Sequence, residues 1–126
     1  MTLYRALFLA AFVSAVIGSF VFAVVPADHI EVADKTKHFF AFYVLTVLGL
    51  VALPRAARWK LAIALACYGG AIEIIQGLPF VGRDADIKDL MVDCLAIAAA
   101  LAPSVAQTVR TMPTLTLDAS FARQAD

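Results

Sequence analysis

Charged residues are scarce in this 126-residue chain. Lysine and arginine together number 10, as do aspartate and glutamate, so the formal net charge is zero. A chain without excess positive charge lacks the broad basic field that nucleic-acid binding uses. We therefore expect no nucleic-acid partner.

Several catalytic motifs are also missing. The chain contains no Gly-x-Ser-x-Gly elbow, no Walker loop, no His-Glu-x-x-His and no Cys-x-x-Cys. Ser14 and Ser19 lie in the first apolar segment and Ser104 near the end of the last. Because these positions are distant from the polar segments described below, we expect no serine nucleophile.

Apolar residues dominate instead, at 63% of the chain against 16% charged. A water-soluble domain of this length could not bury so much apolar surface. Four apolar segments approach the ~20 residues that cross a bilayer as a helix. They cover 3–25, 35–53, 59–76 and 87–106. The sequence thus predicts an all-α, polytopic membrane protein with four transmembrane helices.

The third and fourth segments reach membrane length only if Glu73, Gln76 and Asp93 lie about one turn inside the interface. We predict one transmembrane domain over 1–110 and a loosely ordered cytoplasmic tail over 111–126. Small residues flanking Pro26 also fit a signal-peptidase site. We favour a retained first helix, because its apolar stretch exceeds the roughly 7–15 residues of a signal peptide.

Basic residues are distributed unevenly between the two predicted membrane faces. The basic residues of one face are Arg5, Arg55, Arg58, Lys60 and Arg110. No acidic residue lies near Arg55, Arg58 or Lys60. Cytoplasmic loops are enriched in lysine and arginine. The bias predicts an N-in/C-in topology in the inner (cytoplasmic) membrane.

Acidic residues concentrate at the opposite face. The polar segments 28–38 and 73–93 hold eight of the ten acidic residues and both histidines. Because they are separated by two predicted spans, both segments emerge on the same side of the membrane. Ionisable groups near lipid are costly and are functional candidates by default. The sequence therefore predicts a polar site at the outer face.

Helical spacing places these side chains on common faces. Asp34 and His38 are four residues apart, so the carboxylate can orient the imidazole. Glu73 and Gln76 are three apart at the end of the third span. A third stripe opens the fourth span with Asp86, Asp89 and Asp93.

Simpler explanations remain open for each group. Asp34 and Asp86 each precede a predicted helix and suit N-caps. Lys37 and Lys88 suit solvated surface charges. Glu73 and Asp93 are compatible with structural ion pairs that include no ligand.

The order of these residues resembles the VanZ-like family of small membrane proteins, named for association with teicoplanin resistance. The resemblance covers about residues 33–101. It rests on Asp-Lys-x-x-His-Phe, Glu-x-x-Gln, Gly-Arg and Asp-x-x-Asp-x-x-x-Asp, which begin at Asp34, Glu73, Gly82 and Asp86. The family usually has Asn where this chain has Asp93, and often Gly where Ala96 and Ala100 stand. The resemblance implies cell-envelope biology and an antibiotic-response context.

The leading functional expectation is an outer-face pocket that engages an anionic head group. Its source would be a membrane lipid or a lipid-linked or cell-wall-related envelope precursor. The residues expected to bind the ligand are Lys35, Glu73, Gln76 and Arg83. Because acids outnumber bases there, a divalent cation such as Mg²⁺ or Ca²⁺ is expected to bridge carboxylates to the ligand. The expected metal ligands are Asp86, Asp89 and Asp93.

Two alternatives belong to other functional classes. The first is a metal-assisted or His-mediated hydrolase or transferase acting on a lipid phosphate. In that case His38 would be general base or nucleophile, Asp34 would orient it and Arg83 would stabilise the transition state. The second is a structural or transport protein in which the polar cluster is an ion pair network or an ion path.

Overall fold

The computed structural model describes residues 3–25, 31–81 and 83–111, which contain four helices and no strand. The helices are α1 (Leu3–Val24), α2 (Glu31–Ala52), α3 (Arg58–Gln76) and α4 (Ile87–Thr111). The predicted all-α class is therefore confirmed. Most of the predicted tail, from residue 112 onward, and the Pro26 region lie outside the described residues.

Within the described residues, three helical segments are long and apolar enough to cross a membrane. They are Leu3–Val24, Asp34–Ala52 and Ile87–Gln107. Helix α3 is not among them, because its apolar run is bounded by Lys60 and Glu73. Twelve intervening residues extend only about 18 Å at 1.5 Å per residue, against roughly 30 Å of hydrocarbon. The apolar helices indicate a membrane protein.

Two helix ends differ from the hydropathy pattern. Helix α2 begins at Glu31, four residues before the predicted apolar span, and α4 continues past Pro103 to Thr111. Hydropathy marks where a segment becomes apolar, whereas the helical backbone extends into its polar flank. The extension puts Asp34 inside the first turn of α2 and not at an N-cap position.

The helices alternate in direction, as contacts at both ends of the bundle show. At one end, the Gln76 side chain of α3 donates to the Ala23 carbonyl of α1 at 2.9 Å. At the other end, the Arg58 guanidinium at the start of α3 donates to the Ser104 carbonyl of α4 at 3.0 Å. The ends of α1 and α3 therefore meet the starts of α2 and α4.

The core lies mainly between α2, α3 and α4. Its buried members are Phe42, Leu45, Leu61, Leu65, Ile72, Ala96 and Ile97. Helix α1 packs against this cluster but contains no fully buried residue. Large apolar side chains instead cover the outside of the bundle, a surface that suits lipid. The two cysteines, Cys67 and Cys94, are both free and exposed.

Candidate functional site

The predicted polar residues converge at the end of the bundle where α1 and α3 finish and α2 and α4 begin. Side chains from three helices and from the α3–α4 loop are connected there by ion pairs and hydrogen bonds. The sequence predicted this convergence from the parity of the spans. The individual partners differ from the predicted ones in several cases.

Arg83 joins the loop to both α1 and α2. Its Nη2 donates to both carboxylate oxygens of Asp34 at 3.0 and 3.1 Å. Its Nη1 faces the carbonyls of Phe22 and Val25, each at 3.4 Å, at the end of α1. The Arg83 side chain is 6% exposed. In this structure the guanidinium therefore connects the helix ends.

Lys35 pairs with the stripe on α4. Its Nζ lies 3.4 Å from Asp86 Oδ2 and 3.6 Å from Asp89 Oδ1. Asp86 also accepts the Lys88 backbone N–H at 2.9 Å, as a helix N-cap does. The Lys88 N–H, followed by the Lys35 ammonium, holds the pKa of Asp86 below its ordinary value. Asp86 is thus an ionised cap, the simpler of its two explanations.

His38 is oriented by Asp93 of α4. The imidazole Nδ1 lies 3.0 Å from Asp93 Oδ1, and the Asp93 side chain is completely buried. Asp34 was expected to hold this imidazole, but its carboxylate faces Arg83. The expected pairing considered only neighbours within α2. Packing of α4 against α2 supplies a nearer carboxylate.

Glu73 and Gln76 bond to the backbone of neighbouring segments. Glu73 Oε2 accepts the Asp86 backbone N–H at 2.9 Å, and Gln76 donates to the Ala23 carbonyl. Both side chains belong to buried residues. They therefore hold the α3–α4 loop and the end of α1 in place around the site.

Three buried carboxylate oxygens accept no hydrogen bond from any described residue. They are Glu73 Oε1, Asp89 Oδ1 and Asp93 Oδ2. Burying an ionised carboxylate without compensation is costly. The site thus has unused capacity for a proton or a cation.

A potential cation-binding group lies within this cluster. Among the described residues, three side chains each place one potential ligand atom within 4.8 Å of the other two. They are Asp34, His38 and Asp89. The predicted metal set was Asp86, Asp89 and Asp93, of which Asp89 alone belongs to this group. Asp86 instead caps α4 and pairs with Lys35, while Asp93 bonds to His38. Metal binding itself stays a prediction.

A cavity of about 460 Å³ opens between α1 and α2 beside the cluster. Its polar lining consists of Ser19, Asp34, Lys37, His38 and Arg83, and the rest of its wall is apolar. The apolar wall comes from alanine, glycine, phenylalanine and isoleucine residues of α1, α2 and α3. The cavity therefore has an amphipathic lining that would suit a lipid.

Sequence reasoning missed two of these lining residues. The sequence predicts a solvated charge at Lys37, although its spacing of three residues from Asp34 places both on one helix face. Ser19 is predicted to lie far from the polar site. Ser19 lines the cavity with His38, because α1 packs antiparallel beside α2, and its hydroxyl lies 2.8 Å from the Tyr68 phenol. Such proximity between two helices is a tertiary property without a local sequence signal.

No family model, curated protein or solved structure matches this chain. The VanZ-like resemblance therefore stays a prediction based on the order and spacing of the polar residues.

Proposed function

We propose that this protein is a VanZ-like, multi-pass protein of the cell envelope that binds an anionic lipid-linked or cell-wall-related head group. The observation that carries the proposal is the amphipathic cavity between α1 and α2. Its apolar wall suits a hydrocarbon chain, and Lys37, His38 and Arg83 lie where a head group would enter. Ligand pockets commonly combine an apolar wall with a few convergent polar groups.

The topology in this proposal has four spans, N-in/C-in, in the inner (cytoplasmic) membrane. Antiparallel packing of α3 beside α4 supports a fourth span, even though its apolar run is short. The basic loop at 55–60 supports a cytoplasmic location for that end. In intact cells, an impermeant thiol reagent should label Asp84→Cys and not Arg58→Cys, in a background without Cys67 and Cys94. Labelling of position 58 alone would contradict the orientation.

Lys37 is the cation best placed to recognise the head group. Lys35 is paired with Asp86 and Asp89, and Arg83 with Asp34. Lys37 is exposed and lines the cavity. The predicted ligand residues Lys35, Glu73 and Gln76 then act by holding the helix ends around the cavity, while Arg83 contributes to its lining.

Binding of a long-chain polyprenyl phosphate tests this proposal, with the corresponding polyprenol as the uncharged probe. The purified protein in nanodiscs should bind the phosphate more tightly than the alcohol. Lys37→Gln should weaken phosphate binding about tenfold, equivalent to one charge-assisted hydrogen bond of roughly 1.4 kcal/mol. The effect should shrink at high salt because Lys37 is exposed.

Lys88→Gln is the matched control, since Lys88 is an exposed lysine at the same end of the bundle that does not line the cavity. It should leave binding unchanged. Equal affinity for the phosphate and the alcohol, or equal losses in the two variants, would contradict the proposal. Vesicles of phosphatidylglycerol distinguish a general anionic lipid from a polyprenyl carrier. The proposed link to teicoplanin resistance predicts altered teicoplanin susceptibility when the protein is absent.

The Asp93–His38 pair favours a second candidate, a hydrolase or transferase acting on a lipid phosphate. With Nδ1 engaged by a buried carboxylate, Nε2 is the ring nitrogen that remains to accept a proton or attack phosphorus. In vesicles, this candidate predicts head-group turnover that His38→Gln abolishes while lipid binding persists. Binding without turnover supports the first candidate.

A further inference from the structure

We infer that Asp34, His38 and Asp89 form a site for one divalent metal ion with mixed nitrogen and oxygen ligands, such as Zn²⁺ or Mn²⁺. The site lies at the polar end of the cavity, with Asp93 as the residue that positions His38. It goes beyond head-group binding and does not depend on any lipid being bound.

The first support is the spatial grouping of unlike ligands from two helices. An imidazole nitrogen and one oxygen from each of two carboxylates lie within 4.8 Å of one another. Metal–ligand distances of about 2.0–2.2 Å place the ligands of one ion up to roughly 4.4 Å apart. A contraction of the widest separation, at most 4.8 Å, to about 4.4 Å would bring the group into that range.

The second support is the burial of Asp89, which is only 6% exposed. Its Oδ1 accepts no hydrogen bond from the described part of the chain, although Lys35 Nζ lies 3.6 Å away. Glu73 Oε1 and Asp93 Oδ2 likewise accept no hydrogen bond from the described residues. A buried carboxylate oxygen with spare lone pairs is the group that a cation would satisfy.

Charge balance points in the same direction. Five carboxylates meet at this level, from Asp34, Glu73, Asp86, Asp89 and Asp93, whereas the contacting cations are Lys35 and Arg83. With His38 neutral, the carboxylates exceed these cations by three charges, of which a divalent ion offsets two. Asp34 retains lone pairs for an ion while it accepts from Arg83, because an ionised carboxylate has about four acceptor positions.

The Asp93–His38 contact is the arrangement expected behind a metal-binding histidine. Such histidines usually donate their second ring N–H to a carboxylate, which sets the tautomer and orients the ring. Asp93 Oδ1 lies 3.0 Å from Nδ1, in a side chain with no exposed surface. Nε2 is then the nitrogen left for the metal.

The ligand types decide which ion is preferred. Mg²⁺ and Ca²⁺ take oxygen ligands, whereas imidazole suits zinc and other transition metals. A single histidine with two aspartates therefore favours Zn²⁺ or Mn²⁺ over the Mg²⁺ or Ca²⁺ predicted from the carboxylates alone.

Isothermal titration of metal-free protein in detergent, without added lipid, tests the site. The wild type should bind one equivalent of Zn²⁺ or Mn²⁺ more tightly than Mg²⁺ or Ca²⁺, and the bound ion should raise its Tm. Asp89→Asn and His38→Gln should each weaken binding about tenfold or more, and Asp93→Asn about 10–100-fold. Asp84→Asn, at an exposed loop aspartate outside the group, should bind as the wild type does.

Wild-type protein alone keeps the test decisive if a variant fails to fold. Co²⁺ added in place of Zn²⁺ or Mn²⁺ should give visible absorption bands typical of a nitrogen- and oxygen-ligated site. Absence of saturable one-to-one binding by the wild type would overturn the inference, as would unchanged affinity in folded Asp89→Asn and His38→Gln. Absence of metal binding by the wild type, together with intact polyprenyl phosphate recognition, refutes this site and leaves the proposed function standing.

Discussion

Replacing Arg83 by alanine is expected to lower the free energy of unfolding by about 3 kcal/mol or more. The guanidinium is 6% exposed and its Asp34 partner 20% exposed, so the substitution leaves a poorly hydrated carboxylate without its cation. It also removes the contacts with the Phe22 and Val25 carbonyls at the end of α1. Thermal unfolding in detergent measures the loss.

Arg55→Ala is the matched control, because Arg55 lies exposed in the loop between α2 and α3. It should change the free energy of unfolding by less than about 0.5 kcal/mol, as surface substitutions usually do. A double-mutant cycle with Asp34→Asn isolates the pair. Strict additivity of the two substitutions would show that Asp34 and Arg83 do not stabilise each other.

Arg83→Lys separates a structural arginine from one that binds the ligand. Lysine keeps the charge but lacks the planar fork that reaches Asp34 and α1 together. The geometry predicts that folded yield and polyprenyl phosphate binding fall together. Normal stability with abolished binding would instead assign Arg83 chiefly to the ligand.

Gly69→Ala is expected to destabilise the protein by about 1–3 kcal/mol, the usual cost of overpacking a core. A Cβ at Gly69 would lie 2.8 Å from Asp93 Oδ2, 3.2 Å from Phe42 and 3.3 Å from Leu90. Asp93 is completely buried and bonded to His38, so its carboxylate has little room to move. The added methyl group should therefore also disturb the His38 ring, which NMR of labelled histidine detects.

Gly70→Ala provides the neighbouring control. A Cβ at Gly70 meets no atom within 4 Å, and alanine favours a helix interior over glycine by up to about 1 kcal/mol. The variant should be as stable as the wild type or slightly more stable. Equal destabilisation by both alanines would indicate a general intolerance of α3, unrelated to Asp93.

Hydropathy and residue spacing were sufficient for much of the helical architecture. Apolar segments of bilayer length predicted α1, α2 and α4, because a long, largely uncharged apolar segment is typical of a helix that crosses a membrane. Their start and end points were less accurate, as α2 shows. Glu31 and Asp34 are polar, yet the backbone there continues the helix because its hydrogen bonds do not require apolar side chains.

The partners within the polar cluster were harder to predict. Spacing along one helix correctly placed Asp34 and His38 on a common face. The same spacing could not reveal that Asp93 of α4 contacts the His38 imidazole, or that Arg83 of the loop pairs with Asp34. Those pairings depend on how each helix is rotated about its axis and on where the loop returns, and both are set by side-chain packing between helices.

The sequence by itself determined the class of protein and the level at which its polar groups meet, because apolar length and span parity are properties of a linear chain. Only the tertiary structure decided that Lys37 and Ser19 line a cavity with His38, and that Asp34, His38 and Asp89 form one group. The cavity is the space that packing leaves unfilled between neighbouring helices. The three-residue group depends on which face of α2 packs against α4.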